Sequence, residues 1–238
     1  MVSREESSRL LYGDFTPQDK PRYTLASASH HLHLPPSTLR AWVRGRPYKR
    51  GGAQGFSQPL IEAQGLLSFN NLIEAHVLRA LRGDHKVKMS AVREALDYAQ
   101  REFGIPRLLL SKELLATPGN VFLERFGQLV NLGRSGQLAA RKLLDAHLQR
   151  VEWDPLGNPR RLFPVDSYDV ETLNQAKRII LIDPLISFGR PIVASRAIRT
   201  STIAERIDAG ESFEDVAADY RLERYEIDAA IRYEKAAA

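Results

Sequence analysis

The turn His33-Leu34-Pro35 and the proline that follows it separate two short apolar stripes, and this break constrains the front of the chain most. Proline lacks an amide hydrogen and its ring clashes with the preceding helical turn, so one helix cannot run through the pair. Upstream, Leu25, Ala28 and Leu32 recur at i, i+3 and i+7 behind Thr24, a residue type suited to capping a helix. Downstream, Pro36 suits a first helical position, and Leu39, Trp42 and Val43 form an inward stripe that ends at Arg44. Ser37, Thr38, Arg40, Ala41 and Arg44 are left to face outward. Two short helices, a tight turn, and a polar, basic outer face on the second helix predict a helix-turn-helix.

Charge points the same way. Between Lys20 and Ile61 lie seven basic residues, Lys20, Arg22, Arg40, Arg44, Arg46, Lys49 and Arg50, and no aspartate or glutamate. The whole chain has a formal net charge of +5, so everything outside this segment sums to −2. Basic charge concentrated in one segment is the pattern of a surface that meets a phosphate backbone. Gly45 to Pro59, rich in glycine and carrying Tyr48, Lys49 and Arg50, predicts a hairpin wing, with Leu60-Ile61 and Leu66-Leu67 as return strands.

Further on, Ser68 can cap a helix to about Arg82, and a second helix is expected from about Ser90 to Phe103. Between Gly104 and Pro164, short β-like pieces (Leu108–Leu110, Val121–Leu123, Gln128–Leu132) surround turn signals at 117–120 and 133–136. A helix at Gln137–Gln149 follows, then a hairpin turning at Asp154-Pro155-Leu156-Gly157-Asn158. Ile179–Ile182 reads as a buried strand. Three helices end the chain, Thr202–Ala209 with Glu205 in a capping box and Gly210 as its stop, Phe213–Tyr220 capped by Ser212, and about Glu223–Lys235. Residues 201–235 hold ten acids and five bases, a net of −5, so this unit is expected to contact protein rather than DNA. The fold class is therefore α+β, mainly α. Its parts are a lead-in at 1–22, a winged helix-turn-helix at 23–103, a mixed connector at 104–165 and an acidic trihelical domain at 166–238.

The absence of cysteine excludes disulfides, thiolate zinc sites and a cysteine nucleophile. Met1 to Lys20 lacks the apolar core of a signal peptide, and no apolar run is long enough to span a membrane, so a cytoplasmic protein is expected. No Ser/His/Asp set or carboxylate pair stands out, Gly133-Arg-Ser-Gly-Gln137 misses the nucleophile elbow, and Gly51-Gly52 lacks a P-loop ending, so no enzyme and no cofactor are expected. His30, His31 and His33 suggest metal at first sight, but only His30 and His33 share a helical face.

Two resemblances emerge. Tyr23–Gly45, containing Leu34-Pro-Pro-Ser-Thr-Leu-Arg-Ala-Trp42, resembles the winged helix-turn-helix of the MerR group, with Pro35 where a serine usually caps the recognition helix. Ile182-Asp-Pro184, Gly189-Arg-Pro-Ile-Val193, Arg196-x-Ile198-x-Thr200, Ala209-Gly-Glu-Ser212 and Val216-Ala-x-Asp-Tyr220-x-Leu222 are similar to a small helical domain of unknown function later linked to antitoxins. A chain carrying both resembles the long VapB-like antitoxins of mycobacteria, and the resemblance implies operator repression and neutralisation of a PIN-domain ribonuclease toxin.

In that reading Ser37, Thr38 and Arg40 lie closest to base edges, Arg44, Arg46, Lys49 and Arg50 bind phosphates, and Tyr48 packs on sugar or groove wall. Arg190, Arg196 and Arg199 are the candidate toxin contacts, because an inserted arginine can pair bidentately with carboxylates. A homodimer on double-stranded DNA is expected. Two other readings stand beside it: a MerR-like one-component regulator with a small-molecule pocket in residues 104–165, and a protein adaptor that never touches DNA.

Overall fold

A computed structural model of the chain describes residues 16–50, 53–82, 89–105, 107–115, 117–129, 134–165, 167–168 and 176–236. Its first two helices form where the proline break places them. Helix α1 (Leu25–His31) starts at Thr24, whose hydroxyl accepts the Ser27 amide at 3.0 Å. Helix α2 (Pro36–Arg44) starts at Pro35, which has no side chain to cap it. Leu39, Trp42 and Val43 are buried as the stripe requires, and Ala28 and Leu32 meet them from α1. Thr38 is buried too, at 8 % exposure, which corrects the expectation that it faces outward. It stands four residues before Trp42 and so shares the inward face.

Strands β1 (Arg46–Arg50) and β2 (Ala53–Ser57) pair antiparallel, Arg46 opposite Ser57 and Tyr48 opposite Gly55. The return strand is thus Ala53–Ser57 and not the two leucine-bearing pieces. Leu60 and Ile61 instead place both amides on the Trp42 carbonyl, at 2.7 and 3.0 Å, and tie off the end of α2. Leu67 bridges to Tyr23, where it closes the base of the helix-turn-helix.

Helix α3 (Phe69–Arg82) is the central element, with Phe69, Leu72, Ile73, Ala75, Val77 and Leu78 fully buried. Ser68 and Asn71 bond reciprocally at its start. Of the next three helices, α4 (Met89–Phe103) packs on α5 (Thr117–Leu129), α5 also meets α6 (Arg134–Leu148), and α6 packs directly on α3. The β-like reading of this stretch is overturned: Leu108–Leu110 is one 3-10 turn, and Val121–Leu123 lies inside α5. Pro118 opens a helix here, as proline does in a first turn, although Pro-Gly-Asn reads locally as a turn. The piece at Gln128–Leu132 lies partly in α5 and partly outside the described residues; of the turn signal at 133–136, Arg134–Gly136 open helix α6 instead and residue 133 lies outside the described residues. Strands β3 (Val151–Trp153) and β4 (Pro159–Leu162) form the expected hairpin, with Asp154 Oδ1 accepting the Leu156 and Asn158 amides at 2.9 and 2.8 Å. One buried cluster runs from Tyr23 to Leu162 and takes in Ile182, so it crosses the boundary expected at 103/104.

Beyond a short pair, β5 (Ser167–Tyr168) and β6 (Ala176–Lys177), the C-terminal part builds a three-stranded antiparallel sheet. Its strands are β7 (Ile180–Leu181), β8 (Ile192–Val193) and β9 (Ile198–Arg199). Helices α7 (Thr200–Asp208), α8 (Phe213–Tyr220) and α9 (Arg224–Lys235) pack around Ile203, Val216, Ile227 and Tyr233. Ser212 caps α8 as expected, accepting the Asp215 amide. Helix α7 begins two residues earlier than expected, at Thr200, so Glu205 completes no capping box. The capping box belongs to α9, between Glu223 and Glu226.

Candidate nucleic-acid interface

With Leu39, Trp42 and Val43 committed to the core, the outer face of α2 is Ser37, Arg40, Ala41 and Arg44, at i, i+3, i+4 and i+7. Ser37, Arg40 and Arg44 are exposed. Pro35 supplies no capping side chain, Pro36 has no amide hydrogen, and the Thr38 amide turns back to the Pro35 carbonyl at 2.9 Å, so the first turn of the helix offers the Ser37 amide to an outside acceptor.

The hairpin continues this surface. Strand alternation puts Arg46, Tyr48 and Arg50 on one face and Pro47 and Lys49 on the other. Arg46 and Lys49 are exposed, and of Arg50 only the backbone is described. Tyr48 lies across Gly55: a Cβ there would stand 2.5 Å from the Tyr48 ring, so glycine is what lets the ring fold over its partner strand. The tyrosine remains 49 % exposed, and Phe56 is 52 % exposed on the opposite face. Among the described residues none of Arg40, Arg44, Arg46 and Lys49 is engaged in an ion pair. The cations lie in solvent on the outer face of α2 and on both faces of the hairpin that follows it. Of the eight residues singled out for DNA, Ser37, Arg40, Arg44, Arg46, Tyr48 and Lys49 are exposed on α2 and β1, Thr38 is withdrawn into the core, and the Arg50 side chain lies outside the described residues.

The histidines at the end of α1 do something sequence reading missed. His30 Nε2 lies 2.6 Å from a carboxylate oxygen of Glu234, His33 Nε2 lies 2.9 Å from the Tyr233 carbonyl, and the Tyr233 hydroxyl donates to the His31 carbonyl at 2.7 Å. Thr200 holds the other oxygen of Glu234. The last helix of the chain is therefore fastened to the first helix of the helix-turn-helix. His31 is half-buried, edge-on to the rings of Tyr23 and His30; burial, reinforced by His30, Arg190 and His33, pushes its pKa down to about 4. Burial also depresses His33 and, far more, the fully enclosed His76. The shared helical face of His30 and His33 was the available signal; its partner lay two hundred residues away. Among the described residues no cluster of three or more metal-ligating side chains occurs.

The acidic unit is less uniformly anionic than its sequence suggests. Glu226 turns inward to Ser195, Glu234 turns to α1, and Arg206 joins Glu211 and Asp219. Of the candidate toxin contacts, Arg190 and Arg196 are exposed, with Arg196 Nε donating to the Arg221 carbonyl at 3.2 Å. Arg199 is half-buried and donates to Ser187 Oγ at 2.8 Å, so it also braces the loop before β8. A cleft of about 600 Å³ lined by Asp97, Gln100, Arg101, Gly104 and Ile105 is wide open to solvent. Most of its lining lies on α4, ahead of the 104–165 region where a ligand pocket was considered. No helix of the described residues is long and apolar enough to cross a membrane.

Comparison with known proteins gives two family matches. Residues 21–96 match the family described as "Putative DNA-binding HTH domain", and residues 180–233 match "Protein of unknown function (DUF433)". Over most of its length the chain is 31 % identical to a Mycobacterium tuberculosis protein named "Putative antitoxin VapB45", covering 85 % of this chain and 89 % of that one. It is 27 % identical to "Uncharacterized protein Rv2308" of the same organism, with 91 % of each chain covered. The crystal structure of Rv2018 from Mycobacterium tuberculosis superposes with a TM-score of 0.62 at 25 % identity, over 90 % of this chain and 98 % of that one.

Proposed function

Since the chain belongs to the family of "Putative antitoxin VapB45", we propose that it is a DNA-binding antitoxin that represses its own operator and neutralises a VapC-like PIN-domain ribonuclease. The observation that carries the DNA half is the run of exposed cations, Arg40, Arg44, Arg46 and Lys49, along the outer face of α2 and the hairpin that serves as a wing. Helix α2 enters the major groove, Ser37 and Arg40 face base edges, and Arg44, Arg46, Lys49 and Arg50 meet phosphates while Tyr48 rests on the groove wall. A two-fold dimer supplies enough contact for specific affinity, as one small module covers little DNA.

The toxin half rests on the family and on charge. The unit at 201–235 is net anionic and unsuited to phosphate, and exposed Arg190 and Arg196 beside it can reach carboxylates. The protein works by binding, without chemistry of its own. Co-expression with the product of the adjacent open reading frame tests this: the two should co-purify, and the ribonuclease activity of that product should be suppressed. An adjacent PIN-domain protein that neither co-purifies nor is inhibited would refute the antitoxin reading.

A further inference from the structure

The segment Asp183–Arg190 carries an exposed aromatic that the fold does not use. Phe188 is 80 % exposed and Leu185, on the same loop, 53 %. The backbone beneath is strained. Ser187 (φ 50°), Phe188 (φ 57°) and Gly189 (φ 73°) are three successive left-handed residues, and only the last is glycine. Side chains avoid that region, and such outliers persist only where surroundings enforce them, characteristically at functional loops.

The enforcement is visible. Asp183, 2 % exposed, accepts the Leu185 amide at 2.8 Å and binds Arg161 at 2.9 Å. Tyr23 donates to the Gly189 carbonyl at 2.9 Å, Arg22 to the Pro184 carbonyl at 2.7 Å, and Arg199 to Ser187 Oγ. Gly189 is required at this spot because a Cβ would stand 2.1 Å from the Tyr23 hydroxyl. The loop is thus fixed from both the helix-turn-helix and the C-terminal sheet, yet none of these bonds shelters the Phe188 ring. A rigid loop that holds an aromatic ring in water gains nothing for folding. It has the form of a preordered binding anchor, which loses little entropy on association.

Charge around the anchor identifies what it fits. Arg22, Arg190 and Arg199 surround the loop, while its one acid, Asp183, is buried and paired. We propose that Phe188, with Leu185, is the apolar anchor by which this chain grips its toxin, at an apolar pocket rimmed with carboxylates; the inference rests on the antitoxin reading above. A protein partner fits better than nucleic acid, because the groups the loop holds out are the apolar Phe188 and Leu185, which an apolar pocket desolvates and a phosphate backbone does not. Aromatic and arginine side chains are also the types enriched at protein-interface hot spots.

The test uses the full chain and the product of its adjacent open reading frame, with affinity measured by calorimetry. F188A should weaken the complex at least about tenfold and R190E should weaken it further, while F188Y, which keeps the ring, restores most of the affinity. If the wild-type chain binds and F188A binds within about twofold of it, the anchor is refuted and the antitoxin reading stands. If the wild-type chain does not bind at all, the antitoxin reading itself has failed and takes the anchor with it. Two further results would overturn the proposal. F188A could lower DNA affinity with toxin affinity intact, assigning the loop to nucleic acid, or it could change the sedimentation of the chain alone, assigning it to a second copy.

Discussion

Salt dependence offers the sharpest check on the DNA surface, because the cations proposed to meet phosphates permit a count. If Arg44, Arg46, Lys49 and Arg50 each neutralise one phosphate, log K should fall against log salt with slope about −3.6 per chain and about −7.2 for two chains, at roughly −0.9 per phosphate. An approximately fourfold rise in salt then weakens a one-chain complex by about 150-fold and a two-chain complex by about 20,000-fold. Lys49→Ala should flatten the slope by about 0.9 per bound chain and weaken all duplexes alike. Arg40→Ala should instead reduce discrimination between operator and mismatched duplex, by about 1–3 kcal/mol per lost base contact. Fluorescence anisotropy with a duplex from upstream of the gene, titrated across salt, measures both quantities. A slope near zero, or one that Arg44→Ala and Lys49→Ala leave untouched, would refute the argument that these cations face phosphates.

Two stability predictions follow from the contact between the ends of the chain. His31 has its pKa depressed to about 4 in the fold, so its neutral form stabilises above the unfolded value near 6.5, and that contribution drains away as pH falls through the window between the two. The loss should be about 1.4 kcal/mol per pH unit and up to roughly 3 kcal/mol in all, with His33 and His76 acting in the same direction. Urea denaturation across this range should show stability falling with acid, and His31→Gln should flatten the curve; an unchanged curve would refute the assignment. Gly189→Ala, at φ 73° and with its Cβ 2.1 Å from the Tyr23 hydroxyl, should cost about 2–4 kcal/mol through backbone strain and the displaced bond. Adding Tyr23→Phe should recover part of that loss in the melting temperature, and equal melting of Gly189→Ala and wild type would count against the close approach.

Local patterns carried the front of the molecule. Thr24, Pro36 and the stripe Leu39, Trp42, Val43 act over one or two turns, so helix start, helix phase and exposed face all follow from neighbours in sequence. Even so, Thr38 shows how a stripe read from apolar residues alone is drawn too narrow, because a small polar side chain can share an inward face. The hairpin was legible as glycine-rich, but its return strand was not. Ala53–Ser57 has little apolar pattern, whereas Leu60, Ile61 and Leu67 looked like strand and were claimed by Trp42 and Tyr23.

The middle failed for a related reason. Thr117-Pro-Gly-Asn carries strong turn chemistry, yet burial of Phe122, Leu123 and Phe126 against neighbouring helices overrides it and makes a helix.

What residue order settled, then, was everything decided within a few turns: the helix-turn-helix, the cap of α8, the β3–β4 turn, and the contrast between a cationic front and an anionic rear. What only the folded chain settled is how those two ends meet. Glu234 and Tyr233 reach His30, His31 and His33, and Tyr23 and Arg22 pin the strained loop that bears Phe188, across about one hundred and sixty to two hundred residues of sequence. No periodicity encodes such contacts. They exist because two distinct apolar cores lie against each other, and the polar groups between them must find partners there or lose their solvation without compensation.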